Sequence, residues 1–219
     1  VIGPNGAGKT TFLSAINGLG NIVKGSVWVE GKILNRQNVS KIRRVIAYVP
    51  QHINIDEKAP FNIFDVVMME RYGKIGLMKW PKPLDYKAVN SSLSFFGLAK
   101  MARRPIGKLS GGEIRKVFLA RAIAKEPEII LLDEPTSNLD IKAQKELISL
   151  IDRIYREKNT TIVFVTHTLR NIPSTCNKGL LIKNGKVEFF GNINNALDKK
   201  KLSELYELNI DLLDEISYV

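Results

Sequence analysis

The chain has 219 residues, 44% apolar and 25% charged, enough to bury a sizeable core in one domain with a subdomain and without low-complexity tracts or internal repeats. No apolar run reaches the ~18 residues of a membrane span, and the single cysteine, Cys176, excludes an internal disulfide framework or cysteine-based metal site and fits a reducing compartment. The net charge of +11 is compatible with nucleic acid, anionic lipid or a lysine-rich surface; its scatter along the chain favours a solvated surface, with a membrane-proximal one next.

An apolar Val1-Ile2 leads into Gly3-Pro4-Asn5-Gly6-Ala7-Gly8-Lys9-Thr10, which fits the phosphate-binding pattern G-x-x-x-x-G-K-[ST]. Glycines at 3, 6 and 8 allow close wrapping, so that backbone N–H groups point at phosphate oxygens. Gly8 opens a helix whose positive end faces the anion. Lys9 is placed for the β- and γ-phosphates and the Thr10 hydroxyl for Mg²⁺. Because residue 1 already lies in this strand-to-loop turn, no signal peptide is expected at this end.

Further along, the pattern predicts a helix over 9–17, closed by Gly18 and Gly20, then a half-exposed strand over 25–30. A second strand over 44–49 delivers Gln51 after Pro50. Ala59-Pro60-Phe61 breaks the chain before a helix over 63–72, in which Met68 and Met69 read as core packing. A Gly/Pro-punctuated loop over 73–83, a helix over 86–96 and a short segment over 98–102 follow.

Ser110 and Glu113 form a capping-box pattern at the start of the next helix, and the glycines at 111 and 112 leave its N–H groups open to an incoming phosphate. A continuously apolar strand over 129–132, buried on both faces, ends in Asp133 and Glu134. Two adjacent acids on a buried strand end are costly unless a metal or a reaction uses them. Asp140 caps an amphipathic helix over 141–158 with a buried stripe of Leu147, Ile148, Ile151, Ile154 and Tyr155. A strand over 161–165 ends in Thr166-His167; His52, the other histidine, reads as incidental. A hairpin turns at Asn184-Gly185, and a helical tail over 197–213 carries leucines at 202, 205, 208 and 212. Packing on the body of the domain is the simpler role for that tail, a regulatory or dimer-facing role the alternative.

The P-loop, Gln51, LSGGE at 109–113, ILLDEP at 130–135, SNLD at 137–140 and His167, in this order and spacing, resemble the ATP-binding cassette (ABC) ATPase family. The resemblance implies an α/β P-loop NTPase (RecA-like) core with a mainly parallel sheet and a small antiparallel part that is cut short at the amino end. In the family one or two further strands, with an aromatic residue that stacks on adenine, come before Val1. It also implies one ABC ATPase domain over 1–219: a nucleotide core of 1–60 and 127–219, a helical signature subdomain of 61–126 and a tail of 192–219.

By the same resemblance ATP is held by Gly3, Pro4, Asn5, Gly6, Ala7, Gly8, Lys9, Thr10 and Thr11, and Mg²⁺ by Thr10, Gln51 and Asp133. Glu134 is the general base, and His167 and Gln51 assist it, Gln51 also sitting at the hinge to the helical subdomain. Ser110, Gly111, Gly112 and Asp140 serve the nucleotide of a second copy in a head-to-tail dimer. Thr168 stands where the family has an aspartate after the histidine, which leaves the histidine's support open.

The stretch VPQHINIDEKAPFNIFDVVMMERYGKIGL is similar to the metal-import branch, for zinc, manganese, iron or iron chelates. That implies transmembrane permease subunits, indirectly an extracytoplasmic metal- or chelate-binding protein, and a place on the cytoplasmic face of the cell membrane, with no nucleic acid expected. The alternative is a soluble ABC ATPase acting on nucleic acid or ribosomes. The +11 charge supports it; the short gap between Lys9 and Leu109, the single cysteine and the single cassette speak against it. A regulator without turnover is disfavoured by Glu134.

Overall fold

The left-handed backbone of Gly8 (φ 102°) turns the P-loop into α1 (Lys9–Ile16) in a computed structural model that describes residues 1–76 and 78–209. A short hairpin, β1 (Trp28–Val29) and β2 (Lys32–Ile33), precedes α2 (Val39–Val45) and β3 (Ile46–Val49). Helices α3 (Ile63–Met69), α4 (Tyr72–Ile75), α5 (Pro83–Phe95) and α6 (Gly111–Ala124) follow. Then come β4 (Ile129–Asp133), α7 (Ile141–Glu157), β5 (Thr161–Val165), β6 (Lys178–Lys183), β7 (Lys186–Asn192), α8 (Ile193–Ala196) and α9 (Lys199–Tyr206).

Strands β3, β4 and β5 pair in parallel, with Val49 opposite Leu132 and Asp133 opposite Val165. Val1-Ile2 continues this arrangement: Thr166 N–H donates to Val1 O (3.1 Å), Ile2 N–H to Leu180 O (2.8 Å) and Ile182 N–H to Ile2 O (2.9 Å). The lateral order is therefore β3, β4, β5, residues 1–2, β6, with β7 antiparallel to β6. This is the mainly parallel sheet expected of the α/β class. Because the strands are parallel, their carboxyl ends share one edge, and the segments after them converge there.

The core confirms that β4 is buried on both faces. Ile130 and Leu132 pack with α3, α5, α6 and α7 on one side, and Leu131 packs with Leu13, Ile42 and Val165 on the other. A third cluster joins Ile2 and Leu181 to Ala196, Leu202 and Leu205, so the tail packs beneath the strand that feeds the P-loop.

Several local expectations need correction. The predicted strand over 44–49 begins only at Ile46; residues before it form α2, whose β-branched and basic residues hide a helix in a β-like composition. The strand over 25–30 shortens to Trp28–Val29, with little burial to extend it. The helix over 63–72 stops at Met69, which is 37% exposed where Met68 is buried, and α4 claims four residues from Tyr72 into the predicted loop. Helix α5 starts earlier than expected, with Pro83 at its amino end. Tyr155 is 43% exposed: it lies one residue, about 100° of helix rotation, past the fully buried Ile154. The tail is two helices, divided at Asp198, whose side chain caps α9. The helix expected to run to 213 ends at Tyr206, where Glu207 turns left-handed (φ 56°), so Leu208 lies beyond it; 210–213, with Leu212, lie outside the described residues.

Candidate functional site

Gly3 approaches β6 so closely that a Cβ would sit 2.2 Å from Ile182 O. Gly6 and Gly8 adopt positive φ, and no side chain caps α1. The first-turn N–H groups of Lys9, Thr10 and Thr11 therefore lack intrahelical acceptors and face the loop's hollow, a site for an anion. Asn5, Gly6, Thr10 and Thr11 are exposed there, while Ala7 is buried and its carbonyl accepts from Gly185 N–H (2.9 Å). Lys9 Nζ is turned inward: it donates to Gly3 O (2.9 Å) and Pro4 O (3.0 Å) and lies 3.3 Å from Glu134 Oε1.

Glu134 follows β4 with a left-handed backbone (φ 44°), a conformation that costs a non-glycine residue on the order of 1 kcal/mol. Its N–H donates to Val165 O (3.1 Å), and its side chain is buried. Oε2 accepts from Gln51 Nε2 (2.8 Å) and lies 2.9 Å from His167 Nδ1. Three residues marked by motif, Lys9, Gln51 and His167, thus meet on the carboxylate of a fourth, Glu134.

Asp133 beside it is also buried. Its Oδ2 accepts from Tyr48 OH (3.1 Å), while Oδ1 is buried without a hydrogen-bond partner among the described residues. Burial, with the charge of Asp133, pushes the Tyr48 hydroxyl up to about 12, so it stays a donor. The orphaned oxygen, with the Thr10 hydroxyl and the Gln51 amide oxygen, would offer oxygen donors only, a chemistry that suits a hard divalent cation such as Mg²⁺. Tyr48 belongs to no motif; its only signal in the sequence is a hydroxyl in the otherwise apolar run Ile46–Val49.

His167 is 42% exposed at its side chain. Thr168 contributes through the backbone: its N–H donates to Thr166 Oγ1 (3.0 Å), which donates in turn to Thr168 O (3.1 Å). The tail adds Tyr206, whose hydroxyl donates to His167 O (3.2 Å) and is pushed to about 12 by burial and by the charge of Glu134. A threonine turn and a distant tyrosine thus hold this loop.

Ser110, Gly111, Gly112 and Asp140 form a separate group. Ser110 Oγ accepts from Glu113 N–H (3.3 Å), Glu113 Oε2 accepts from Ser110 N–H (2.8 Å), and Asp140 Oδ1 accepts from Ala143 N–H (2.9 Å). The starts of α6 and α7 share a cavity of about 230 Å³ lined by these residues, with Asn138 and Ala143. Among the described residues their hydrogen bonds are local caps, and none reaches the P-loop.

The chain is similar to several known proteins. The family profile described as ABC transporter matches residues 1–137. The manganese transport system ATP-binding protein MntA of Synechocystis sp. is 39% identical over 83% of this chain and 68% of its own length. The chelated iron transport system membrane protein YfeB of Yersinia pestis is 38% identical over 92% of this chain and 67% of its own. Among solved structures, an inward-facing conformation of a candidate metal-chelate type ABC transporter superposes with a TM-score of 0.81 at 33% identity, over 94% of this chain and 77% of that one.

Proposed function

The chain belongs to the ABC transporter family, as an ATP-hydrolysing subunit, and from that premise we propose that it drives import of a metal ion or metal chelate through separate membrane subunits. The observation that carries the mechanism is the Glu134 carboxylate held by Gln51, His167 and Lys9 beside the unpartnered oxygen of Asp133. Glu134 takes the proton of the attacking water, and Gln51 and His167 fix the rotation of its carboxylate. The P-loop N–H groups and Lys9 bind the phosphates; Lys9, now donating to two loop carbonyls, is the cation available to them. Thr10, Asp133 and Gln51 would hold Mg²⁺, which when bound neutralises phosphate charge.

A second copy, head to tail, completes the site by presenting Ser110, Gly111, Gly112 and Asp140. Their clustering away from this chain's own P-loop supports that arrangement. The helical subdomain, residues 61–126 between core segments 1–60 and 127–219, offers the permease its exposed apolar side chains: Phe61, Tyr72, Trp80, Leu84 and Tyr86. The subunit then works at the cytoplasmic face of the membrane; no helix among the described residues is long and apolar enough to cross one. The names of the manganese and chelated-iron relatives support a metal or chelate cargo; its delivery by an extracytoplasmic binding protein is part of the proposal. The nucleic-acid alternative draws no support from these relatives.

The test is to purify the full-length subunit with its membrane partners and measure ATP hydrolysis and ATP-dependent Mn²⁺ accumulation in vesicles. Glu134→Gln should bind ATP and lose both activities. Normal hydrolysis by that variant would sink the catalytic assignment, and co-purification with ribosomes or nucleic acid in place of a permease would overturn the transport role.

A further inference from the structure

Helix α6 carries an arginine to which the mechanism above gives no task. Arg115 lies just over one turn from the Ser110 cap and is 7% exposed. Its Nη1 donates to Pro50 O (3.0 Å), and its Nη2 donates to Gln51 O (2.6 Å) and to Ser137 Oγ (3.3 Å). All three acceptors lie on loops beside the site proposed above for the nucleotide: the turn that carries Gln51, whose side chain bonds Glu134, and the 137–140 loop between Glu134 and α7. Arg115 itself belongs to the helix whose first turn holds Ser110 and Gly112.

Those acceptors are two carbonyls and a hydroxyl, none a carboxylate. Burial lowers the pKa of Arg115, whereas Arg71, equally buried, has Asp85 and Glu126 as counter-charges. A buried cation without a counter-charge is expensive, and an apolar side chain would pack this helix at less cost. What arginine adds is a planar fork that reaches two successive carbonyls and a third group at once, which lysine cannot do.

We infer that Arg115 is a positioning residue that ties the Gln51 backbone and the 137–140 loop to the signature helix. Movement of α6, when its amino end meets a partner's nucleotide or a membrane subunit, is thereby passed to the Gln51 side chain and so to Glu134, 2.8 Å away. The inference rests on the site assignment above, in which Gln51 and Glu134 attend the terminal phosphate.

The experiment is a double-mutant cycle on the full-length subunit assembled with its permease, with kcat and KM for ATP, ATP affinity of the subunit and thermal unfolding as readouts. Arg115→Met should lower kcat on the order of 10- to 100-fold, as expected when a reacting group is misplaced by a remote change. KM and ATP affinity should stay within about twofold, because ground-state contacts are kept. Arg115→Lys should recover part of kcat. In a Gln51→Ala background Arg115→Met should add little, because both changes act through the same loop.

Effects that multiply in the double variant, or an unchanged kcat in Arg115→Met, would overturn the inference. Should Arg115→Met fail to fold, Arg115→Lys carries the test: it keeps the buried charge and loses the fork, so wild-type kcat there overturns it equally. Glu134→Gln run alongside separates the two failures. If it hydrolyses ATP normally, the site assignment falls and this inference with it; if it is inactive while the Arg115 variants match wild type, only the tie is refuted.

Discussion

Arg71 and Lys9 are both buried cations facing carboxylates, and their surroundings are completed to different degrees. Arg71 bonds Asp85 from Nε (2.9 Å) and Nη2 (2.8 Å), and Ala124 O (2.9 Å) and Glu126 (2.7 Å) from Nη1. The second Asp85 oxygen accepts from Lys82 N–H (2.9 Å). This network joins the α3–α4 corner, α5 and the end of α6, and its main donors and acceptors are matched. The Lys9–Glu134 cluster is left open: Asp133 Oδ1 has no partner among the described residues, and His167 stands half in solvent.

Strain does not separate the two, since Glu126 (φ 54°) and Glu134 (φ 44°) are both left-handed. Closure does. A charge network that only holds helices together is satisfied within the chain, whereas one built for a ligand keeps acceptors and charges in reserve.

The sharpest way to break this comparison is Glu134→Gln, which should cut kcat by about 10²–10⁴ in steady-state phosphate release while the chain still folds. Arg71→Met should do the reverse. It strands the buried Asp85 and should cost about 3–5 kcal/mol in urea unfolding, with nucleotide affinity unchanged. If it weakened nucleotide binding as much as stability, the division between closed and open clusters would fail.

Tyr48→Phe removes the hydrogen bond from the Tyr48 hydroxyl to Asp133 Oδ2. The loss of about 0.5–1.5 kcal/mol should appear as roughly a 2- to 10-fold rise in the Mg²⁺ concentration for half-maximal hydrolysis. The smallest effect is a pH dependence. The Lys82 backbone N–H and then Arg71 hold Asp85 below its ordinary 3.8, so its contribution is complete above that value and is lost as pH falls through the folded pKa. The gap in urea midpoint between wild type and Asp85→Asn should be constant from neutral pH down to about 5 and close below 3.8.

The parts of this site that could be read from the sequence are those whose chemistry is local. The G-x-x-x-x-G-K-T spacing, the Ser110–Glu113 capping box and the Asp140 cap each act within a few residues, and the structure has all three in those conformations. Helix α2 was hidden because its residues favour strands as readily as helices when no apolar face is dominant. Tyr48, Arg115 and Tyr206 carry no motif, because each acts on a loop tens of residues away: Tyr48 on Asp133, Arg115 on Gln51, Tyr206 on His167. Composition cannot tell a buried arginine tied to carbonyls from a solvated one.

By itself, then, the order of residues determined the inventory: a phosphate loop at a helix start, two acids at the end of an apolar strand, and a glutamine and a histidine after two others. Backbone propensity, capping and hydrophobic period are short-range, so they survive in the linear chain. Only the tertiary structure decided that Gln51, His167 and Lys9 share the Glu134 carboxylate, that Tyr48 leaves one Asp133 oxygen free, and that Arg115 spans two loops. Parallel pairing of β3, β4, β5 and residues 1–2 is what aligns those strand ends, and that register is set by burial on both faces of the sheet.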